Sequence, residues 1–271
     1  ARRQRPAGGV RVHAGAVELQ RFRVREPASG VEFALANAIA RRNPGVEPRL
    51  LLGTHFDTRL WAEEDPDPAR RDEPIPGAND GTSGVAVLLE LLRVVDGDPR
   101  LRELGLDVVL FDGEEFGRPG GAYTCVGSSF FAQTLPRTYP ASPPIGAIIV
   151  DMVGDADLAI RRETSSSTGI SQWLTDKVWA AGKQVAPAVF LDASAGTIID
   201  DHTALQLAGI PATLVIDLDY PHWHTHRDTL DKVSAESLRA VGATLHRALV
   251  DIARAGWSTA PSGANTGSPR E

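Results

Sequence analysis

Cysteine is almost missing from this chain: Cys125 is the only one among 271 residues. A lone thiol makes no intramolecular disulfide, so the fold must stand without staples, and cysteine usage says nothing about compartment. Cys125 itself reads as a small buried hydrophobe. Long apolar runs are missing as well. No stretch reaches the roughly 18 to 20 apolar residues of a membrane span, and the N-terminus lacks the apolar core of a signal peptide. The chain opens on Ala1 rather than Met, so an export signal, an anchor or some leading structure is compatible with what precedes it, and the missing signal excludes no compartment. Basic residues are in deficit. Lys and Arg number 28 against 35 Asp and Glu, a net charge of −7, and no basic run is long enough to follow a phosphate backbone. Nucleic acid is therefore not expected as a partner, Arg2-Arg3 and Arg161-Arg162 read as solvated surface, and the acidity favours solubility and cation binding. The 26 Gly and 19 Pro show no period, and with 42% hydrophobic residues the collagen-like, low-complexity and disordered classes are excluded.

What remains is an enzyme-sized globular pattern. Val17 to Val24 and Val31 to Ala38, joined by Pro27-Ala28-Ser29-Gly30, predict an antiparallel hairpin at one edge of a sheet. Arg49 to Thr54, Leu106 to Phe111, Ile145 to Asp151 and Thr213 to Leu218 are short apolar runs without alternation, the pattern of parallel strands covered on both faces. Between them, Gly84 to Val95 predicts a buried helix with Thr82-Ser83 as caps, and Thr168 to Ala181 a second. Ser234 caps a third, whose Leu238, Val241, Leu245, Leu249 and Ile252 form one stripe. The alternation predicts an α/β three-layer sandwich with a central mixed, mostly parallel sheet flanked by helices. Residues 1–257 are expected to form a single α/β domain, and 258–271, small and polar, a disordered tail.

Metal-ligand residue types recur at or just beyond the predicted strand ends: His55-Phe56-Asp57, Asn79-Asp80, Glu114-Glu115, Asp151 and His224. In open α/β sheets that crevice is where ligands bind, so groups distant in sequence can converge there. Each alone is more often a cap, turn or hydrogen-bonded loop residue than a ligand, but five agreeing positions favour a site. Imidazole and carboxylate donors without thiolate suit a borderline cation such as Zn²⁺ in an open catalytic site. Glu114-Glu115 follows a buried strand into a turn, where neighbouring carboxylates point apart, one free to bind metal and the other to shuttle a proton.

These motifs, in this order over about Leu50 to Val233, resemble the clan of zinc aminopeptidases and the glutaminyl cyclases built on the same fold. The resemblance rests on His55-Phe56-Asp57, Pro76 to Gly84, Phe111 to Glu115, Val150 to Gly154, Asp200-Asp201-His202, Trp223-His224-Thr225 and Asp228-Thr229. It implies metal ligation by Asp80, Glu115 and His224, as in the single-zinc cyclases. In the dinuclear peptidases a second metal uses the positions of His55 and Asp151, both present here. Three features are similar to the cyclases: Trp223 before His224, the long Phe116 to Val126 segment, and Thr58-Arg59-Leu60-Trp61-Ala62 with Asp65 to Pro68 leading into Pro74 to Gly77.

The resemblance thus implies a bacterial-type glutaminyl cyclase acting on peptide or protein N-termini, extracytoplasmic and monomeric, with one zinc ion. Glu114 would carry the proton, Asp151 and Asp200 would steady the amide nitrogen, and Trp223 and Asp201 would contact substrate. Asp200 and Asp201 are not separable in the sequence, and the pair reads equally as a helix cap before Thr203 to Leu207. His222 and His226 read as loop residues. Two other readings stand beside this one: a dinuclear zinc aminopeptidase, with Glu114 activating a water between two metals, and a catalytically silent binding module.

Overall fold

In the computed structural model, which describes residues 16–27, 29–121 and 124–256, six strands form one sheet. They are β1 (Ala16–Arg25), β2 (Glu32–Arg42), β3 (Arg49–His55), β4 (Gly105–Phe111), β5 (Gly146–Asp151) and β8 (Ala212–Ile216), in the order β1-β2-β4-β3-β5-β8. The hairpin expected at one edge is there. β1 and β2 pair antiparallel with Phe22 opposite Leu35, and β2 runs on to Arg42 to pair antiparallel with β4. β4, β3, β5 and β8 are mutually parallel, so the sheet is mixed and mostly parallel.

Both faces are covered, which is why the central strands read as unbroken apolar runs. Leu50 and Leu52 turn to one face, against Val87, Leu88, Leu91 and Leu92 of α1 (Ser83–Gly97) and Val241, Leu245 and Leu249 of α6 (Ala235–Arg254). Leu51, between them, turns to the other, toward Phe131 of α2 (Val126–Gln133), Leu135 of α3 (Leu135–Thr138) and Leu205 of α5 (Asp201–Leu207). Leu174, Val178 and Trp179 of α4 (Gln172–Val185) join the first face. The result is the three-layer sandwich. Ser234 caps α6 by accepting from the amides of Glu236 and Ser237. Thr82 precedes α1 but does not cap it, because its hydroxyl donates to the Gly77 carbonyl at 2.6 Å. α4 begins later than expected: Gly169, at φ +56°, opens a short 3-10 turn that delays it to Gln172. β6 (Ile160–Glu163) and β7 (Phe190–Gly196) form a separate parallel pair that the sequence reading missed. The predicted tail lies outside the described residues.

The chain leaves β3 through α1 to β4 on one side, then crosses by α2 and α3 to β5 on the other. β3 and β5 therefore flank the switch point, and their carboxyl ends, His55 and Asp151, lie side by side. α1 approaches this point closely. A Cβ on Gly84 would stand 2.1 Å from Thr54 Oγ1 and 2.8 Å from the Val150 carbonyl. Gly84→Ala is expected to lower stability by about 1–3 kcal/mol, the usual cost of overpacking. An unchanged urea midpoint would contradict that contact.

Candidate metal centre and acid cluster

Asp80, Glu115 and His224 are each held by residues outside the donor groups. Asp80 sits in the turn between β3 and α1, where the amides of Asn79 and Asp80 donate to Asp228 at 2.8 and 3.1 Å, and Tyr220 Oη donates to the same carboxylate at 2.7 Å. Gly81 closes that turn at φ +94°, and a Cβ there would meet the Asp57 carbonyl at 2.3 Å. Asp57 accepts from the amides of Glu114 and Glu115, both at 3.1 Å, and so fixes the acidic pair beyond β4. His224 lies in the loop after β8 with φ +51°, a strained conformation for a residue with a side chain. That loop is tied to the segment after β3. The Glu64 amide donates to the His224 carbonyl at 3.3 Å, and the His226 amide and Nδ1 each lie 3.0 Å from Asp65 Oδ2. His226 is thereby taken up as a loop residue, and His222 packs against the Tyr220 ring.

The structure brings together two groups of donors that share Asp80. His224 Nε2 lies 3.1 Å from Glu115 Oε1 and 3.6 Å from Asp80 Oδ2. His55 Nε2 lies 2.9 Å from Asp151 Oδ1 and 3.3 Å from Asp80 Oδ1. Within each trio the donor atoms are all within 4.8 Å of one another, and every one of the five residues is buried. Asp80 Oδ2 is buried without a hydrogen-bond partner, an arrangement that costs several kcal/mol unless a cation completes it. Carboxylates and imidazoles, without thiolate, are the donor set of an open zinc site.

Electrostatics separates the acids. Burial and the adjacent Glu115 charge push the Glu114 carboxyl well above its ordinary range. Burial and Asp80 raise Glu115 to about 7. For His224, burial acts downward but is outweighed by hydrogen bonds to Glu115 and Glu63, which raise it to about 9. A metal must displace those protons. Zinc loading is therefore expected to release protons, with affinity falling as the pH drops through about 9 and on through about 7. Pipette-scale calorimetry in buffers of different ionisation enthalpy would show it, and proton-neutral loading at pH 7 would contradict it.

A cavity of about 280 Å³ opens on the first trio, lined by Glu114, Asp151, Asp200, Ile199, Leu218 and Trp223 among others. Trp223, 43% exposed, stacks on the His224 ring at 3.8 Å between centroids and 25° between planes. Cys125 is buried as expected, but not among apolar groups alone: its Sγ donates to Glu114 Oε1 at 3.1 Å. Asp200 lines the cavity and is also the N-cap of α5, in a capping box with Thr203, so cavity wall and helix cap are one side chain. Burial and the Asp151 charge raise it to about 6. Asp201, expected beside it at the substrate, is fully buried outside that lining. His202 turns away to Ser165 and Glu163, at 3.2 and 3.3 Å. Sequence reasoning missed Glu63, whose Oε1 lies 3.0 Å from His224 Nδ1, and the bracing done by Asp57 and Asp228.

Fold and donor groups together define an α/β enzyme of the zinc-exopeptidase type. Residues 37–249 match Peptidase family M28, and the chain belongs to that family. A solved glutaminyl cyclase from Fimbriiglobus ruber is 33% identical and superposes with a TM-score of 0.82, covering 89% of this chain and 83% of that one. A Zn-dependent exopeptidase from Parabacteroides distasonis is 28% identical, with a TM-score of 0.83 over 90% of this chain and 87% of that one. Among curated proteins, the glutaminyl-peptide cyclotransferase of Bos taurus is 24% identical over 242 residues, 77% of this chain and 64% of that protein. The chain spans between 26% and 64% of the length of four curated relatives it matches. The resemblance to glutaminyl cyclases is borne out. No helix among the described residues is long and apolar enough to cross a membrane.

Proposed function

We propose that the protein is a glutaminyl-peptide cyclotransferase, converting an N-terminal glutamine to pyroglutamate with release of ammonia. The observation that carries this reading is the Trp223–His224 stack at the mouth of a cavity whose wall holds Glu114, close to the Asp80, Glu115 and His224 donors but outside that trio. One zinc ion held by Asp80, Glu115 and His224 would supply Lewis acidity toward the γ-carbonyl oxygen. The substrate's own α-amine is the nucleophile, so no water need be admitted. Glu114 accepts a proton from the attacking amine as the ring C–N bond forms, and returns it to the departing amide nitrogen as the old C–N bond breaks. Asp151 and Asp200, both lining the cavity, accept hydrogen bonds from that nitrogen, and Trp223 packs on the glutamine side chain. Peptide and protein N-termini are the substrates, and because such termini arise mostly on exported chains the reading carries an extracytoplasmic location with it.

The second trio, His55, Asp80 and Asp151, favours a second reading: a dinuclear aminopeptidase in which Glu114 deprotonates a water for hydrolysis of the first peptide bond. Mass spectrometry of zinc-loaded protein with a Gln-initiated peptide, its Leu-initiated counterpart and a chelator control separates the two. Ammonia loss from the Gln peptide alone is the expected result. Release of the first residue from either peptide would overturn it in favour of the peptidase, and chelator-insensitive inertness toward both would leave only a silent binding module.

A further inference from the structure

We propose that Glu63, held by Arg59, is the positioning residue that presents His224 to the metal. The inference rests on the reading of His224 as a ligand, and holds equally for the cyclase and the peptidase.

The geometry is a relay of three side chains. Glu63 Oε1 lies 3.0 Å from His224 Nδ1, while the opposite ring nitrogen, Nε2, faces Glu115 Oε1 at 3.1 Å and Asp80 Oδ2 at 3.6 Å. A carboxylate accepts and cannot donate, so Glu63 keeps the Nδ1 proton in place and leaves the Nε2 lone pair toward the other two donors. It also resists rotation of a ring that stands on a strained backbone. Glu63 is only partly buried and would be free to swing without a partner. Arg59 supplies one: Nη2 and Nε donate to Glu63 Oε1 at 2.7 and 2.9 Å, and Nε is shared with Oε2 at 3.2 Å, so both carboxylate oxygens are held. The remaining amino group reaches across to the neighbouring ligand. Arg59 Nη1 donates to the carbonyls of Glu115 and Gly117, both at 3.1 Å, and stands 3.4 Å from Glu115 Oε2. One buried guanidinium thus registers the support of His224 against both backbone and carboxylate of Glu115. Trp61 covers it, with the guanidinium carbon 5.6 Å from the ring centre.

The arrangement accounts for the Arg59-Leu60-Trp61 segment, which the catalytic reading leaves without a task. A lysine at position 59 would put one ammonium where three separate directions must be served. Glu63→Gln can still accept from Nδ1 but loses the charge, whereas Glu63→Ala loses both.

Zinc affinity measured by competition with a chromophoric chelator tests the proposal, with substrate absent. Glu63→Ala is expected to weaken zinc binding by about 10–100-fold, the usual worth of an outer carboxylate on a ligating histidine, with Glu63→Gln in between. Arg59→Lys should also weaken it. Glu103→Gln, an exposed carboxylate ahead of β4, should leave it unchanged. The visible absorption of the Co²⁺-loaded protein should shift in Glu63→Ala and return toward the parent in Glu63→Gln, which a general loss of stability would not produce. Circular dichroism confirms that each variant is folded. Parental zinc affinity and an unshifted cobalt spectrum in folded Glu63→Ala would overturn the proposal. Retention of metal by His224→Ala would instead overturn the ligand reading on which it rests.

Discussion

Glu114→Gln is expected to lower turnover of a glutamine-initiated peptide by about 10²- to 10⁴-fold while zinc content stays at the parental level. The substitution keeps shape and removes only the ability to take and give a proton. Glu114 stands outside both donor trios, its backbone amide is fixed by Asp57, and the Cys125 thiol holds one oxygen, so the amide can occupy the same place. Its carboxyl is pushed well above the ordinary carboxylate range by burial and the adjacent Glu115 charge, the kind of perturbation that marks acid–base groups. Metal analysis alongside single-turnover kinetics decides the matter. Zinc loss would make Glu114 a ligand, and unimpaired turnover would hand the proton to Asp200 or Asp151.

His224→Ala and Glu115→Gln are expected to do the opposite, abolishing turnover because metal is lost. His224→Ala removes one of three donors and Glu115→Gln replaces an anionic donor with a neutral amide oxygen, so each should weaken zinc by more than the roughly 10–100-fold carried by an outer partner. His224→Ala also takes away the ring on which Trp223 stacks and the imidazole that joins Glu63 to Glu115. Metal stoichiometry after dialysis against dilute chelator is the readout. A parental ratio in both variants would move the ion to the trio of His55, Asp80 and Asp151.

The sequence made the scaffold legible because the central strands are covered on both faces and say so by continuous apolar composition: Leu50, Leu51 and Leu52 serve two different cores in succession. The donor residues were legible because each follows such a strand or opens a turn beside one. Their supports were not. Glu63 meets His224 across 161 positions, and Asp228 meets Asn79 across 149, distances over which local pattern carries no information. Asp200 and Asp201 are adjacent, and only the cap geometry of α5 shows which faces the cavity. β6 and β7 escaped because β7 is largely exposed and made mostly of small residues, and Thr82 failed as a cap because a carbonyl five residues back claimed its hydroxyl.

The ties between the segment after β3 and the loop of His224 have a dynamic consequence. The amides of Glu64 and His226 each donate into the opposite segment, so neither strand of chain can open without breaking the other's bonds. The two form one cooperative unit for local unfolding, and their exchange with deuterium should slow together when zinc is added. A ligand that contacts only His224 on that side would in this way quieten a stretch of backbone about 160 residues away from it in sequence.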